Sequence, residues 1–371
     1  MNFDLTDDQR ALVDTVEKFA ASATARRAGA SDAATAVAGL VGRWTQMAEL
    51  GLAGLLIDEA DGGIGMTMAD AILVCEALGQ SLAQEPFITA AIVAPKLIEQ
   101  STASDVRSSC LAAIGEGSAR IAFAGEESVL AFDLAEITAR VDARDGVLRL
   151  SGVKHLVIDG ASATHFVVLA RDKDEAPNAF FVAANEPGVS VTPIRTLDGG
   201  WLARVSFEEV EVRGPLFERD TAVAQIECAL DHGIVALCAE SLGLINRALA
   251  LTAGYLQTRQ QFGKAIGSFQ ALQHRFADMV VAAEQAKSAT FMAAAALSEG
   301  DATFRKREVS AAKSLVCRHG RAILEGAIQL HGGIGITDEY ELSRYVRRML
   351  EIEKSWGDAI DHEARFAAMI E

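Results

Sequence analysis

The residues of this chain whose types and spacing could do chemistry fall in two short stretches. In Y-L-Q-T-R-Q-Q-F-G-K-A-I-G-S-F-Q-A-L-Q-H-R-F-A-D-M (255–279), Arg259 and Lys264 flank Phe262 and Gly263. Cations beside a glycine, which lets backbone come close, suit an anion such as a pyrophosphate. In Q-L-H-G-G-I-G (329–335), Gln329 offers an amide and Gly332 and Gly333 offer backbone N–H groups, donors for phosphate or carbonyl oxygens. Taken alone, each stretch reads more often as ordinary punctuation, a helix end and a glycine loop. The sequence holds no H-E-x-x-H, no G-x-S-x-G, no Walker loop and no G-x-G-x-x-G opening a helix, so the common hydrolase, kinase and Rossmann chemistries lack support. The five cysteines (Cys75, Cys110, Cys228, Cys238, Cys317) are odd in number and form no C-x-x-C, which reads as buried reduced thiols with no metal site. His274 and His331 lie inside the two stretches and His155 and His165 in strand-like segments. None has a carboxylate or ligand spacing beside it, and all read as structural.

The elements that must position these stretches follow the order α, β, α. At 371 residues the chain exceeds the roughly 250–300 at which one core stops growing, so more than one packed unit is expected. Residues 1–118 are alanine-rich, with apolar residues three and four apart as in Trp44, Met47, Ala48 and Leu52, and predict helices broken by the turn D-E-A-D-G-G-I-G (58–65). Residues 119–215 change to short β-branched runs with Asp-Gly breaks, predicting antiparallel strands and hairpins. From 220 to 371 helical patterns return, interrupted at S-E-G-D (298–301) and H-G-G-I-G (331–335). The formal charge of −17 repels nucleic acid and anionic lipid, so neither is expected as a partner. No segment reaches about 18 uninterrupted apolar residues. The acidic N-terminus resembles no secretory signal, and the expected location is the cytoplasm.

The first stretch resembles the FAD-binding segment of acyl-CoA dehydrogenases, which reads Y-x-x-x-R-x-Q-F-G-x-x-I-x-x-F-Q-x-x-Q-x-x-L-A-D-M; nearly every fixed position is met. The second resembles the same family's Q-x-x-G-G-x-G. The segment W-x-x-M-A-E-L-G-L-x-G (44–54), the D-G-G-x-G turn and the α-β-α order extend the similarity over essentially the whole chain. The resemblance implies an α+β fold: an N-terminal helical domain, a middle antiparallel β domain and a C-terminal four-helix bundle. It implies FAD as cofactor, held across a subunit interface by Arg259, Gln261, Phe262, Gln270, Gln329, Gly332 and Gly333. It also implies α,β-desaturation of an acyl-CoA thioester, in which a glutamate takes the α-proton and the β-hydrogen leaves as hydride to the flavin. Electrons would then pass to an electron-transfer flavoprotein.

The same resemblance exposes departures. Counted from the matched motifs, the family's two base positions are filled here by Gly233 and by Trp356, in W-G-D where the family has E-G-T, and neither side chain accepts a proton. Asp231 is the candidate substitute, although two helical residues turn it about 200° from Gly233; Glu353 and Asp358 are weaker candidates. The family's T-E-P-G-x-G-S-D appears as E-E-S-V-L-A-F-D (126–133), and the flavin-facing tryptophan and threonine of its W-I-T are replaced by Leu156 and Ile158. This pattern implies a chain that has lost its own active site and completes the FAD site of a catalytic partner in an α₂β₂ assembly. Small subunits of the pimeloyl-CoA and steroid side-chain CoA type, which this sequence resembles, occur in such pairs. Two alternatives stay open: a self-sufficient homotetramer with Asp231 as base, and a non-enzymatic scaffold of this fold. The basic run R-Y-V-R-R (344–348) reads as a solvated or intersubunit helix face.

Overall fold

Asp145 and Gly146 illustrate how local chemistry sets the architecture: both take positive φ, at 55° and 81°, closing an Asp-Gly hairpin between the first two long strands of the middle segment. The computed structural model describes residues 5–24, 32–128 and 133–370. Residues 1–4 of the acidic N-terminus and residues 129–132, the centre of E-E-S-V-L-A-F-D, lie outside that set.

Helices come first: α1 (Asp7–Thr24), α2 (Ala33–Glu49), α3 (Met68–Gln80), then a π-helical turn (Phe87–Val93) leading into α4 (Ala94–Ile98), and α5 (Ser104–Gly115). Strands follow: β1 (Ile121–Ala124), β2 (Arg140–Arg144), β3 (Val147–Ile158), β4 (His165–Arg171), β5 (Pro177–Ala183), β6 (Val189–Arg195) and β7 (Trp201–Val212). The chain then enters α6 (Arg219–Thr258), the two-residue strands β8 (Gln260–Gln261) and β9 (Lys264–Ala265), α7 (Gln270–Ala296), α8 (Ala302–His331), α9 (Leu342–Lys354) and α10 (Ala359–Ala367). The break at 298–301 is where Asp301 caps α8, its carboxylate accepting from the N–H groups of Thr303 and Phe304.

The strands form one sheet in the order β1-β4-β2-β3-β7-β6, with β5 added to β4. The hairpins β2–β3, β4–β5 and β6–β7 are antiparallel, as expected. The pairings β1–β4 and β2–β4 are parallel, which corrects an all-antiparallel expectation. The reason is topological: β1 enters from the helical segment and meets β4 only after the β2–β3 hairpin has intervened, and a crossover of that length allows parallel pairing.

Packing divides the chain into two compact units, one of Met1–Ala28, Ala69–Ala83 and Ile234–Glu371, the other of Gly29–Met68 and Gln84–Gly233. In the first, α3 and α6 approach so closely that a Cβ on Gly79 would lie 2.2 Å from the carbonyl oxygen of Glu240, and one on Gly243 2.1 Å from that of Glu76. Asn246 donates to Glu76 at 2.8 Å, and Arg348 of α9 grips buried Glu240 with two hydrogen bonds of 2.6 and 2.9 Å. Tyr345 donates to the carbonyl of Gln80 at 2.7 Å. The basic run 344–348 is therefore not simply a solvated face: Tyr345 and Arg348 are internal, while Arg347 pairs with Asp338 and Arg344 is exposed. Fully buried Lys313 donates to the carbonyls of Ile352 (2.5 Å) and Ser355 (3.1 Å), satisfying the C-terminal end of α9. Among the described residues only α6 is long and apolar enough to cross a membrane, and most of that stretch is buried in the protein.

In the second unit, Lys154 on β3 is fully buried and donates to the Glu127 carboxylate at 2.6 Å and the Gly125 carbonyl at 3.3 Å. Glu127 also accepts from the Thr138 and Ala139 N–H groups at 2.6 and 3.0 Å. Burial pushes Lys154 down to about 8, while the partners hold the Glu127 carboxyl below its ordinary range.

Candidate functional site

Helix α6 ends at Thr258, and the chain turns back at once through β8 and β9. The tip of this hairpin is Phe262-Gly263, with φ of 54° and 77°. Both central residues at positive φ make a turn that favours Asn-Gly; a phenylalanine there is strained by about 1 kcal/mol or more. The ring is 91% exposed, touching Phe269 edge-on at 6.1 Å, and the Lys264 ammonium sits 4.4 Å over the Phe269 ring. The Arg259 N–H donates to the Tyr255 carbonyl at 2.9 Å and the Arg259 carbonyl accepts from Ile266 at 2.8 Å, so the backbone of the arm is fixed. Its guanidinium, like the amides of Gln270 and Gln329, is exposed and has no hydrogen-bond or ion-pair partner among the described residues. The Gln261 amide donates to the neighbouring Gln260 carbonyl at 2.8 Å.

The second stretch closes α8. Gly332 follows with φ 67° and ψ −145°, a conformation open essentially to glycine alone, and starts a tight turn through Ile336. Around both Gly332 and Gly333 the space where a side chain would stand is empty, so backbone N–H groups can be approached. Ile334 and Ile336 are exposed beside them. The two stretches meet through rings: Tyr255 stacks on His331 at 4.5 Å, one turn before Arg259 and one residue before Gly332 respectively. The stack joins the arm carrying Arg259, Gln261 and Phe262 to the end of α8 with Gln329 and the turn with Gly332 and Gly333, and Phe269, against the hairpin tip, immediately precedes Gln270.

The models of the acyl-CoA dehydrogenase N-terminal, middle and C-terminal domains match residues 6–118, 122–210 and 223–353. Acyl-CoA dehydrogenase IpdE2 of Mycobacterium tuberculosis is 30% identical over 348 residues, spanning 92% of this chain and 91% of that protein. The chain belongs to the acyl-CoA dehydrogenase family. A solved steroid acyl-CoA dehydrogenase variant named by the pair Tcur3481-Tcur3483 is 27% identical, with TM-score 0.83 and 98% of each chain covered. Butyryl-CoA dehydrogenase from Megasphaera elsdenii shares the fold at TM-score 0.89, 22% identity and complete coverage of both chains. Acyl-CoA dehydrogenases are FAD-dependent oxidoreductases acting on CH–CH bonds.

Within that family the positions matched to its bases look unlike a proton acceptor. Gly233 is buried on α6. Trp356 is buried, with φ 54°. Its carbonyl accepts from His362 Nε2 at 3.1 Å, which leaves Nδ1 to accept from Ser310 Oγ at 3.4 Å. Burial and the nearby Lys313 charge push His362 down to about 3, so it stays neutral. Asp231 is completely buried. Asp358 caps α10 through the N–H groups of Ile360 and Asp361 and pairs with Lys354 at 2.7 Å, a structural engagement. Glu353 lies 3.6 Å from Arg321. On the sheet, Glu126 is buried and Leu156 and Ile158 are half-buried, so the positions matched to flavin contacts carry an acid and two aliphatics.

The exposed donor set of the first unit fits one edge of a dinucleotide: a guanidinium for the pyrophosphate, carboxamides for polar edges, and glycine backbone open to close approach. Sequence reasoning did not find the contact between the two stretches, the stack of Tyr255 on His331. The first tyrosine of the motif pattern was the available signal.

Proposed function

We propose that this chain is the subunit that completes the FAD site of a catalytic acyl-CoA dehydrogenase in an α₂β₂ assembly. The observation that carries this is an asymmetry: exposed, unengaged donors at Arg259, Gln270 and Gln329, against buried Gly233 and Trp356 at the base positions. Exposed donors on one chain serve a ligand that another chain encloses. The Phe262 knob supports it, because strain and 91% exposure in one aromatic ring make sense if the ring docks elsewhere. Buried Glu126, standing where the resemblance implies a neutral hydroxyl facing the flavin, supports it further. The relative named by the pair Tcur3481-Tcur3483 is consistent with a two-chain enzyme.

When bound, FAD supplies the ring that takes up the hydride removed from the acyl-CoA thioester. This chain's residues do the rest from outside that ring. Arg259 would neutralise pyrophosphate charge, Gln270 and Gln329 would orient the dinucleotide, and the open backbone at Gly332 and Gly333 would donate to it. The exposed Phe262 ring would shield it from water. The proton acceptor for the α-proton comes from the partner, and electrons leave to an electron-transfer flavoprotein.

The test is co-expression with a catalytic acyl-CoA dehydrogenase subunit and measurement of flavin per protein. Arg259→Ala in the complex should lower FAD affinity by a charge-assisted hydrogen bond, about 1.5–3 kcal/mol or roughly 10- to 150-fold. Unchanged flavin content would favour a scaffold. The chain alone should purify with well under one FAD per protomer and without turnover; full occupancy with turnover abolished by Asp231→Asn would establish the self-sufficient homotetramer instead.

A further inference from the structure

The arm with Arg259 and the turn with Gly332 and Gly333 extend from different helices, and the turn is built on a glycine that would otherwise be free to choose its conformation. Three rings from three elements join them. Tyr255 lies in the last turn of α6, and its carbonyl holds the Arg259 N–H at 2.9 Å. His331 ends α8, buried at 3% exposure. Tyr340 lies in the turn before α9. The imidazole is 4.5 Å from the Tyr255 ring at 29° and 5.0 Å from the Tyr340 ring at 48°.

The hydrogen bonds fix the tautomer. The Ala327 carbonyl can only accept, so His331 Nδ1, 2.7 Å away, carries the proton. Nε2 of the neutral ring then accepts from the Tyr340 hydroxyl at 3.1 Å. Burial lowers the His331 pKa below its ordinary value, which keeps the ring neutral at pH 7. The charged groups next to Tyr340 are Glu341 and Arg247, paired with each other at 2.6 Å.

We propose that His331 is a positioning residue of the FAD half-site: clamped between Tyr255 and Tyr340, it sets the Gly332–Gly333 turn relative to the Arg259 arm. This rests on the half-site reading given above. His331 does not itself touch the dinucleotide. It removes freedom from two donor-bearing segments that would otherwise have to be ordered when the ligand binds.

The experiment uses the complex with the catalytic subunit and reads FAD affinity, kcat at saturating FAD, and KM for acyl-CoA. Tyr340→Phe deletes one hydroxyl and keeps the ring; His331→Phe keeps stacking and deletes both hydrogen bonds. Each should weaken FAD binding roughly 3- to 10-fold, the range of neutral hydrogen bonds. Added FAD should restore kcat, with KM for acyl-CoA unchanged. If His331→Phe fails to fold, Tyr340→Phe alone decides. FAD affinity within twofold of the parent, or a loss of kcat that excess FAD does not restore, overturns the proposal. Arg259→Ala measured in parallel separates the two levels. If it lowers flavin affinity and the ring variants do not, only the positioning role fails; if it too has no effect, the half-site reading has failed.

Discussion

Phe262 holds a left-handed backbone at φ 54° with its ring 91% exposed, so its side chain contributes strain to the isolated chain and little packing. Asparagine takes that conformation more easily. Phe262→Asn should therefore leave the isolated chain as stable as before or stabilise it by about 0.5–1 kcal/mol, while flavin retention in the complex falls several-fold. Urea unfolding of the chain alone and flavin release from the complex read the two halves; a destabilised chain with intact flavin retention would contradict it. His362 gives a pH signature of opposite character. Its folded pKa is depressed to about 3, while the unfolded chain titrates near the ordinary value of about 6.5. As pH falls, the unfolded chain binds the proton first, so this contribution is intact above about 6.5 and is lost progressively down to about 3. His362→Gln keeps an amide donor for the Trp356 carbonyl and cannot titrate there. Its stability deficit at pH 7 should narrow or reverse by pH 4, followed by denaturation at each pH. The stretches that carry Arg259, Phe262 and Gln329 were legible as contiguous patterns. The partners of His331 were not, since only packing brings Tyr255 and Tyr340 to it.

At the scale of elements, the helix breaks at 298–301 and 331–335 and the Asp145-Gly146 hairpin could be read directly, because capping carboxylates and positive-φ glycines act locally. The parallel β1–β4 pairing could not, since register between distant strands is decided by crossover geometry. Nor could the inward turn of Tyr345 and Arg348, where a basic run that looks solvated supplies the bidentate partner of buried Glu240. The contact between α3 and α6 makes the sharpest prediction here. A Cβ on Gly243 meets the Glu76 carbonyl at 2.1 Å and one on Gly79 meets the Glu240 carbonyl at 2.2 Å, in both cases rigid backbone. Gly243→Ala should force the helices apart and destabilise by about 2–3 kcal/mol, in the overpacking range. Gly254→Ala, on the same helix with open space around it, is the control and should be neutral or slightly stabilising. Equal denaturation midpoints for the two variants would show that the close approach does not bear on stability.

For the whole molecule, two opposing terms govern association. The exposed Phe262, Ile334, Ile336 and Val281 favour burial against another chain. A net charge of −17 opposes burial against an identical one, because like charges repel over the screening length, about 8 Å at physiological ionic strength. A less acidic partner would meet less of that repulsion at the same apolar surface. This division was half legible: the charge is a count, whereas the exposure of Phe262 depends on where the hairpin points. Salt separates the two terms. Sedimentation of the isolated chain should show weaker self-association at 0.05 M than at about 0.5 M sodium chloride, where the screening length shrinks to a few ångströms. The complex with the catalytic subunit should persist at low salt. A tight tetramer of this chain alone at 0.05 M salt, retaining flavin, would mean that its surface was built for copies of itself, and the search for its base would return to Asp231.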